Sequence, residues 1–541
     1  MIDPQTQSNL DQFLASDIDA ESRNNVLQLL EERPQEIIDG FHSTLQFGTG
    51  GLRGVMGIGT SRINTYTIRR ASQGVANWLK SKHPGRESIA VFIGYDCRHH
   101  SKEFAEETAK VFAGNGIKAY LCDDLRPTPF ISFGCRELHA QAAIMITASH
   151  NPPEYNGYKV YGEDGGQLAP PYDGEVIEEV KKVSKIQVAD LKNPLIQLVS
   201  NALDLKYLNA IAKLQLKTGE KKLKVVYSSL HGTGITLMPK ALERFGFKNI
   251  YIVDEQKVPN GDFPTVKSPN PEELSALKMG ADLMIKEKAN LLIATDPDAD
   301  RMRVAVYENG EVTYLDGHQI GVLCLDYILQ KAKLPNGAFC VKSITTTELF
   351  RKICEDHKVE CKEVLPGFKY IAEKILENEQ AFVFGAEDSY GYLFGTYARD
   401  KDAISSSCLI AEIAEEGSLL ERLEEIYQMH GYYFNTIGVI EGEESAAGRK
   451  KMQDQMQQFR NHLPTECLGI KVVSIEDLMP KADVLTLYLE DGTKLILRPS
   501  GTEPKIKMYC GVKGESMEEL KGKAAELITF VSKLFHASFS K

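Results

Sequence analysis

The sequence predicts an α/β protein: three similar mixed α/β domains followed by a C-terminal α+β domain. Three observations carry this expectation. A strand–turn–helix–strand plan recurs three times along the 541 residues. Each copy is followed by another apolar strand that runs into a polar loop. The tail then abandons the plan for a hairpin pattern. At roughly 150 residues per domain, a chain of this length holds three to five domains.

In the first copy, residues 89–98 (IAVFIGYDCR) read as a strand, SKEFAEETAKVFAGNG as a helix and IKAYLC as a second strand. In the second, LKVVYSSL (223–230) leads through an HGTG turn into the helix ITLMPKALERFG and the strand FKNIYIV. In the third, AFCVKS (338–343) precedes the helix TELFRKICEDH and the strand KVECKEV. Such β-α-β units imply parallel pairing. The strands that follow are AAIMITASHNP (142–152), LLIATDPDADR (291–301) and AFVFGAEDSYG (381–391). Their loops fall at carboxyl ends of strands, where open α/β sheets take ligands. In the tail, VLTLYLEDGTKLILRP (484–499) alternates apolar and polar residues around Asp491-Gly492, a hairpin signal. The loop PSGTEPK, the strand IKMYCGV and an amphipathic helix over about 515–537 complete it. The expected domains are 1–205, 206–333, 334–430 and 431–541.

Composition narrows the function classes. With 43% hydrophobic and 26% charged residues, collagen-like, disordered and disulfide-scaffold classes are excluded. No apolar run approaches the roughly 18–20 residues that span a bilayer. The start, MIDPQTQSNLDQF, reads as neither signal nor transit peptide. Ten scattered cysteines form no Cys-x-x-Cys pair, so a reduced, cytoplasmic setting is expected. The net charge of −12 argues against nucleic-acid binding, and an anionic ligand would have to be met by local basic clusters.

Four loops carry such chemistry. The first is Thr147-Ala148-Ser149-His150-Asn151-Pro152. A small hydroxyl at a strand end suits a nucleophile or phosphoryl carrier, with His150 and Lys159 as donors, although a plain Ser/Asn/Pro turn reads equally well. The second is Asp296-Pro297-Asp298-Ala299-Asp300-Arg301. Three mutually repelling carboxylates after an apolar strand favour a divalent cation over a solvated acidic turn, and three protein oxygens leave Mg²⁺ with open positions. The third, Glu387-Asp388-Ser389-Tyr390-Gly391, suits sugar hydroxyls, but alone it reads better as a loop with a helix cap. Lys369, Arg399 and Lys401 add positive charge nearby in sequence. The fourth, Arg498-Pro499-Ser500-Gly501-Thr502-Glu503-Pro504-Lys505, has the composition of a phosphate cradle, against a polar crossover loop. A further segment, Phe47-Gly48-Thr49-Gly50-Gly51-Leu52-Arg53-Gly54, permits close backbone approach to a ligand without being a dinucleotide motif.

With TASHNP, Asn156-Gly157-Tyr158-Lys159, DPDADR and RPSGTEPK in that order, the chain resembles the α-D-phosphohexomutase superfamily over nearly its whole length. FGTGGLRG, GFKYIAEKI and ARDKDA look like its phosphoglucomutase branch, which also holds phosphopentomutases and glucose-1,6-bisphosphate synthases. The resemblance implies four domains around one central cleft. It implies a phosphoserine at Ser149, and one Mg²⁺ held by Asp296, Asp298, Asp300 and the seryl phosphate. It implies sugar recognition by Glu387 and Ser389, and phosphate capture by Arg498, Ser500, Gly501, Thr502 and Lys505. Arg53, His150, Lys159, Arg301, Lys369 and Lys401 match charged family positions around the transferred group or the sugar. Ala386 and Asp388 depart from a frequent Gly and Glu, which bears on the sugar more than on the reaction.

The reaction so implied interconverts α-D-glucose 1-phosphate and glucose 6-phosphate through glucose 1,6-bisphosphate, which turns end over end without leaving. The expected assembly is a monomer or small homo-oligomer. Phosphomannomutase, phosphopentomutase and bisphosphate synthase activities are the alternatives. A haloacid-dehalogenase-like phosphatase is a distant one, since it would need neither TASHNP nor RPSGTEPK, and a non-catalytic sugar-phosphate sensor is another. Lys159, Lys369, Lys401 and His150 stand open as general-base candidates.

Overall fold

The computed structural model describes residues 2–16, 18, 20–45, 51–86, 88–443, 445–480, 482–500 and 504–537. Its first sheet has six strands. Ala90–Tyr95 lies between parallel partners, Lys118–Cys122 on one side and Ala142–Ile146 on the other. Tyr155–Gly162 and Leu52–Val55 follow antiparallel beyond Ala142–Ile146, and Ile196–Val199 closes the far edge. Ala142–Ile146 is buried along its length, as expected of an apolar run covered on both faces.

The same order returns twice. Lys221–Ser228 sits between Phe247–Ile252 and Leu291–Thr295, both parallel to it, and Met302–Glu308 turns back antiparallel. Phe339–Ser343 sits between Glu360–Val364 and Phe382–Glu387, and Gly391–Phe394 turns back. In each copy the strand that leads into a candidate loop lies beside the central strand. All three loops therefore leave their sheets at equivalent places.

The fourth sheet is wholly antiparallel, with six strands running from Tyr432–Glu441 to Glu466–Cys467. Its hairpin turns at Asp491-Gly492: Gly492 has φ +83°, and Asp491 Oδ1 accepts from the Thr493 amide at 2.9 Å. The helices Ala446–Asn461 and Met517–Ala537 give this sheet a core of its own around Met456, Phe459, Leu527 and Val531.

Two features differ from the expectation. The first 41 residues, unassigned from sequence, form helices Pro4–Ala15, Ala20–Glu32 and Pro34–Phe41 around Leu10, Phe13, Val26, Ile37 and Phe41. The helix after HGTG breaks into a 3₁₀ turn, Thr233–Thr236, and a short helix, Met238–Arg244. Pro239 explains the break, since it lacks the amide an uninterrupted helix needs and fits only a first turn. Among the described residues no helix is long and apolar enough to cross a membrane.

Candidate active site

Ser149 stands just past the buried strand Ala142–Ile146, in the left-handed region at φ +53°, and is 2% exposed. A β-carbon disfavours that conformation by roughly 1–3 kcal/mol, so the surroundings must impose it. Its amide donates to Thr147 Oγ1 at 2.8 Å, a local hydroxyl turn. The larger constraint is Arg98. Its guanidinium donates to the carbonyls of Ser149 (2.6 Å), Pro152 (2.8 Å) and Tyr155 (3.0 Å), and to that of Asn151. Asp96 lies 3.4 Å from Arg98 Nε, and both side chains are fully buried. The Ser149 hydroxyl projects at Asp296 Oδ2, 2.7 Å away, and lies 3.2 Å from His150 Nδ1.

The Asp296–Asp300 loop folds on itself. Asp296 Oδ1 accepts from the amides of Asp300 (3.1 Å) and Arg301 (3.0 Å), and Ala299 adopts φ +49° to allow the turn. Thr128 Oγ1 and Lys159 Nζ both donate to Asp298 Oδ2 at 2.8 Å. Lys159 also reaches Asp300 Oδ2 (3.4 Å), and Lys401 reaches it at 3.0 Å. Arg301 pairs with Glu272 at 2.7 Å, and Lys401 with Asp400 at 3.1 Å. Arg53 reaches Asn151 Oδ1 at 3.0 Å.

Burial, and then the charges of Asp298 and Asp300, push the Asp296 carboxyl well above the usual carboxylate range. Burial opposes it at Asp298, yet the Lys159 ammonium holds that carboxyl below its usual range. Burial, with Arg301 and Arg53 behind it, holds the His150 imidazole well below the ordinary histidine range.

Each of the three aspartates offers an oxygen, and these lie within 4.8 Å of one another. Asp298 Oδ1 and Asp300 Oδ1 are buried with no hydrogen-bond partner among the described residues. Unpartnered carboxylate oxygens out of water are costly, and a hard divalent cation is what would satisfy them. The residues present fit such an ion.

The third loop closes the hairpin Phe382–Glu387 to Gly391–Phe394, with Tyr390 at φ +63°, rather than capping a helix. Glu387 is buried and accepts from the Gly367 amide at 2.7 Å; Ser389 is half-buried at the tip. Asp388 turns to Thr345 and Ser343 (3.2 Å to the latter). Burial raises Glu387 against the pull of Lys401, so this loop borders the lysine cluster.

Lys369 is buried and lies 3.4 Å from Asp173. In the fourth loop, Arg498 is half-buried, the Ser500 amide donates to the Lys505 carbonyl at 2.7 Å, and Lys505 lies 3.8 Å from Glu441. Burial raises the phenols of Tyr370 in the third domain and Tyr509 in the fourth, and the Arg498 charge opposes the rise in both. Gly501 and Thr502, like Phe47–Gly50, lie outside the described residues.

The structure thus gathers Ser149, His150, Lys159, Arg301, Lys401 and the three aspartates, with Arg53 at the rim. Sequence reasoning missed Asp96, Arg98, Thr128, Glu272 and Asp400. A signal existed for the first pair only: Asp-x-Arg directly after a central strand.

Family models of phosphoglucomutase/phosphomannomutase alpha/beta/alpha domains I, II and III match residues 44–187, 205–310 and 316–430. The phosphoglucomutase of Staphylococcus haemolyticus is 38% identical over 517 residues, 89% of this chain and 92% of that protein. That of Staphylococcus epidermidis is 38% identical over 550 residues, 94% and 99% of the two chains. A phosphoglucomutase/phosphomannomutase family protein from Burkholderia thailandensis shares the fold with a TM-score of 0.72 at 16% identity, covering 92% of this chain and 98% of that one. The phosphoprotein pp63/parafusin of Paramecium, in its open form, has a TM-score of 0.69 at 16% identity, covering 92% and 95%. The chain belongs to the phosphoglucomutase/phosphomannomutase family. It is an enzyme of the isomerase class, a phosphohexomutase.

Proposed function

We propose that the protein interconverts α-D-glucose 1-phosphate and glucose 6-phosphate through a phosphoserine at Ser149 and glucose 1,6-bisphosphate. The carrying observation is the Ser149 hydroxyl, aimed 2.7 Å from Asp296 at the edge of a buried aspartate triad ringed by Lys159, Lys401 and Arg301. Mg²⁺ held by Asp296, Asp298, Asp300 and the seryl phosphate would supply charge stabilisation as the Ser149 oxygen departs.

In this reading the bond from phosphorus to Ser149 Oγ breaks as the free hydroxyl of the sugar phosphate takes the phosphoryl group, and the proton of that hydroxyl ends on the departing Ser149 oxygen. The bisphosphate turns over, its other phosphoryl group returns to Ser149, and the isomer is released. Lys159 and Lys401 are ion-paired to the aspartates and serve as fixed positive charge rather than as bases. Glu387 and Ser389 face sugar hydroxyls, and Arg498, Ser500, Gly501, Thr502 and Lys505 hold the phosphate that is not reacting. Positioning and charge neutralisation supply the rate. The domains 1–205, 206–333, 334–430 and 431–541 then carry phosphoserine, metal, sugar and spectator phosphate in turn. Ten free thiols suit a reducing compartment such as the cytoplasm.

Two measurements test this. Intact mass of the purified protein is expected to show one phosphoryl group that disappears in Ser149→Ala. Turnover across glucose, mannose and pentose phosphates is expected to be fastest with glucose. Release of inorganic phosphate without isomerisation would favour the phosphatase reading instead.

A further inference from the structure

Thr128 belongs to the first domain, at the start of the helix Thr128–Glu137, yet both its hydrogen-bond donors are spent on the aspartate loop of the second. Its amide donates to the Asp298 carbonyl and its hydroxyl to Asp298 Oδ2, each at 2.8 Å. The side chain is wholly buried. Pro127 and Pro129 flank it, and their fixed φ angles leave the Thr128 backbone little freedom. On the other side of the loop, Thr233 donates its amide (2.7 Å) and hydroxyl (2.9 Å) to the Pro297 carbonyl. Adjacent carbonyls of the loop are thus gripped from two domains.

The hydroxyl does more than hold the backbone. With Thr128 and Lys159 both on Oδ2, the plane of the Asp298 carboxylate is fixed, and Oδ1 is the oxygen left buried and without a hydrogen-bond partner among the described residues. Lys159 is shared with Asp300 and also supplies charge. Thr128 is neutral, so what it supplies here is orientation.

We infer that Thr128 is a positioning residue for the divalent cation: it aims Asp298 Oδ1 at the ion, and it makes ion affinity depend on the docking of the first domain against the second. The inference rests on the metal reading proposed above. Groups that orient metal ligands typically control affinity by roughly 10–100-fold.

The experiment is Mn²⁺ binding by isothermal titration to substrate-free protein, alongside the metal-activation constant and KM for glucose 1-phosphate. Thr128→Val keeps the shape and removes the donor; it is expected to weaken Mn²⁺ binding roughly tenfold. Thr128→Ser keeps the donor and is expected to bind near the parent value. KM for the sugar phosphate at saturating metal should stay put in both. Thr128→Ala removes the same hydroxyl with less bulk, and weakening equal to that of the valine variant is expected even if valine disturbs folding. Parent-like binding by the valine and alanine variants would overturn the inference while leaving the metal site standing, as would a serine variant as weak as valine. A parent protein that binds no Mn²⁺ would overturn the metal reading and this inference together.

Discussion

Arg98→Lys is the sharpest perturbation of the proposed phosphoserine loop that substitutes none of the reacting groups. The guanidinium serves four carbonyls and faces Asp96, sealed beneath the loop and stacked 5.1 Å from the Phe263 ring centre. An ammonium has three donors and no plane, so it cannot serve the four carbonyls or keep the flat stack. At least one carbonyl loses its partner, while Asp96 Oδ1 keeps the amide of residue 98 and the Ser101 hydroxyl. At about 1.5–3 kcal/mol for a charge-assisted bond, the first domain loses about 1.5 kcal/mol at the lower bound. That corresponds to a fall in melting temperature of roughly 3–6 °C for a domain of this size. The kinetic effect follows from Ser149, whose left-handed backbone is anchored by its own carbonyl on Arg98. Released, the hydroxyl relaxes away from Asp296, and a displacement of about 1 Å costs roughly 100-fold in rate. A coupled assay of glucose 6-phosphate formation should show that loss in kcat with KM nearly unchanged, because among the described residues Arg98 bonds to the Ser149 loop and to none of the proposed sugar or spectator-phosphate residues. Parent-like kcat together with a parent-like melting temperature would refute the reasoning. A rise in KM with kcat intact would mean that Arg98 serves binding, not the placement of Ser149.

Other expectations are more direct. Ser149→Ala should lose isomerisation by several orders of magnitude while its circular dichroism and melting curve stay those of the parent; retained turnover would remove Ser149 from the reaction. Exhaustive chelation should abolish turnover and added Mg²⁺ restore it, and full activity in the chelator would count against the aspartate triad as a cation site. Gly232→Ala should weaken Mn²⁺ binding and activity together, since its β-carbon would sit 2.4 Å from the Pro297 α-carbon, and parent-like binding would show that the loop tolerates the shift. At the contact between the third and fourth domains, Lys494 pairs with Glu348 (2.8 Å) and Glu363 (3.3 Å). Against the upward push of burial, Lys342 and Lys494 hold both carboxyls below the usual glutamate range. Their stabilisation is therefore complete above about pH 4.3 and is lost as pH falls toward the folded-state values. Small-angle scattering should show expansion on acidification below that range, and Lys494→Met should loosen the same contact at neutral pH; an unchanged radius of gyration in both experiments would contradict this.

Much of the architecture was legible because it is periodic. Parallel strands covered on both faces read as apolar runs, and a run such as LLIAT before DPDADR marks its own end by an abrupt change to carboxylates. The hairpin at Asp491-Gly492 was legible for a stereochemical reason, the positive φ that glycine accepts. The N-terminal helices were not, because their packing face is thin: Pro4–Ala15 buries only Leu10 and Phe13 among its apolar residues, with Thr6 and Asn9 beside them. In the site, the residues that meet a reacting group advertise themselves by type, as Ser149 and the aspartates do. Those that hold such residues in place do not. Arg98 acts on backbone carbonyls, which every residue has, and Thr128 acts on an aspartate 170 positions away. Neither contact leaves a local pattern, so only the folded chain reveals it.

The three candidate loops share one more property, and it follows from the repeated plan. Ser149, Ala299 and Tyr390 each adopt a positive φ, at +53°, +49° and +63°, just beyond equivalent strands. None is glycine, so each position carries strain of roughly 1–3 kcal/mol. Glycine would relieve it, but a loop free to move would not hold its groups in one geometry. The surroundings that offset the strain are different in each case: the Arg98 fork at Ser149, the Asp296 carboxylate accepting two amides at Ala299, and the Tyr390 carbonyl accepting from the Met302 amide at 3.2 Å. The last of these bonds links the second sheet to the third, and Thr128 links the first to the second. Each loop is therefore stiffened by its own turn and then tied to a neighbouring domain. For the reaction proposed above, in which one cluster must take up either phosphate of the same sugar, loops held this way would leave the reorientation to the bisphosphate itself.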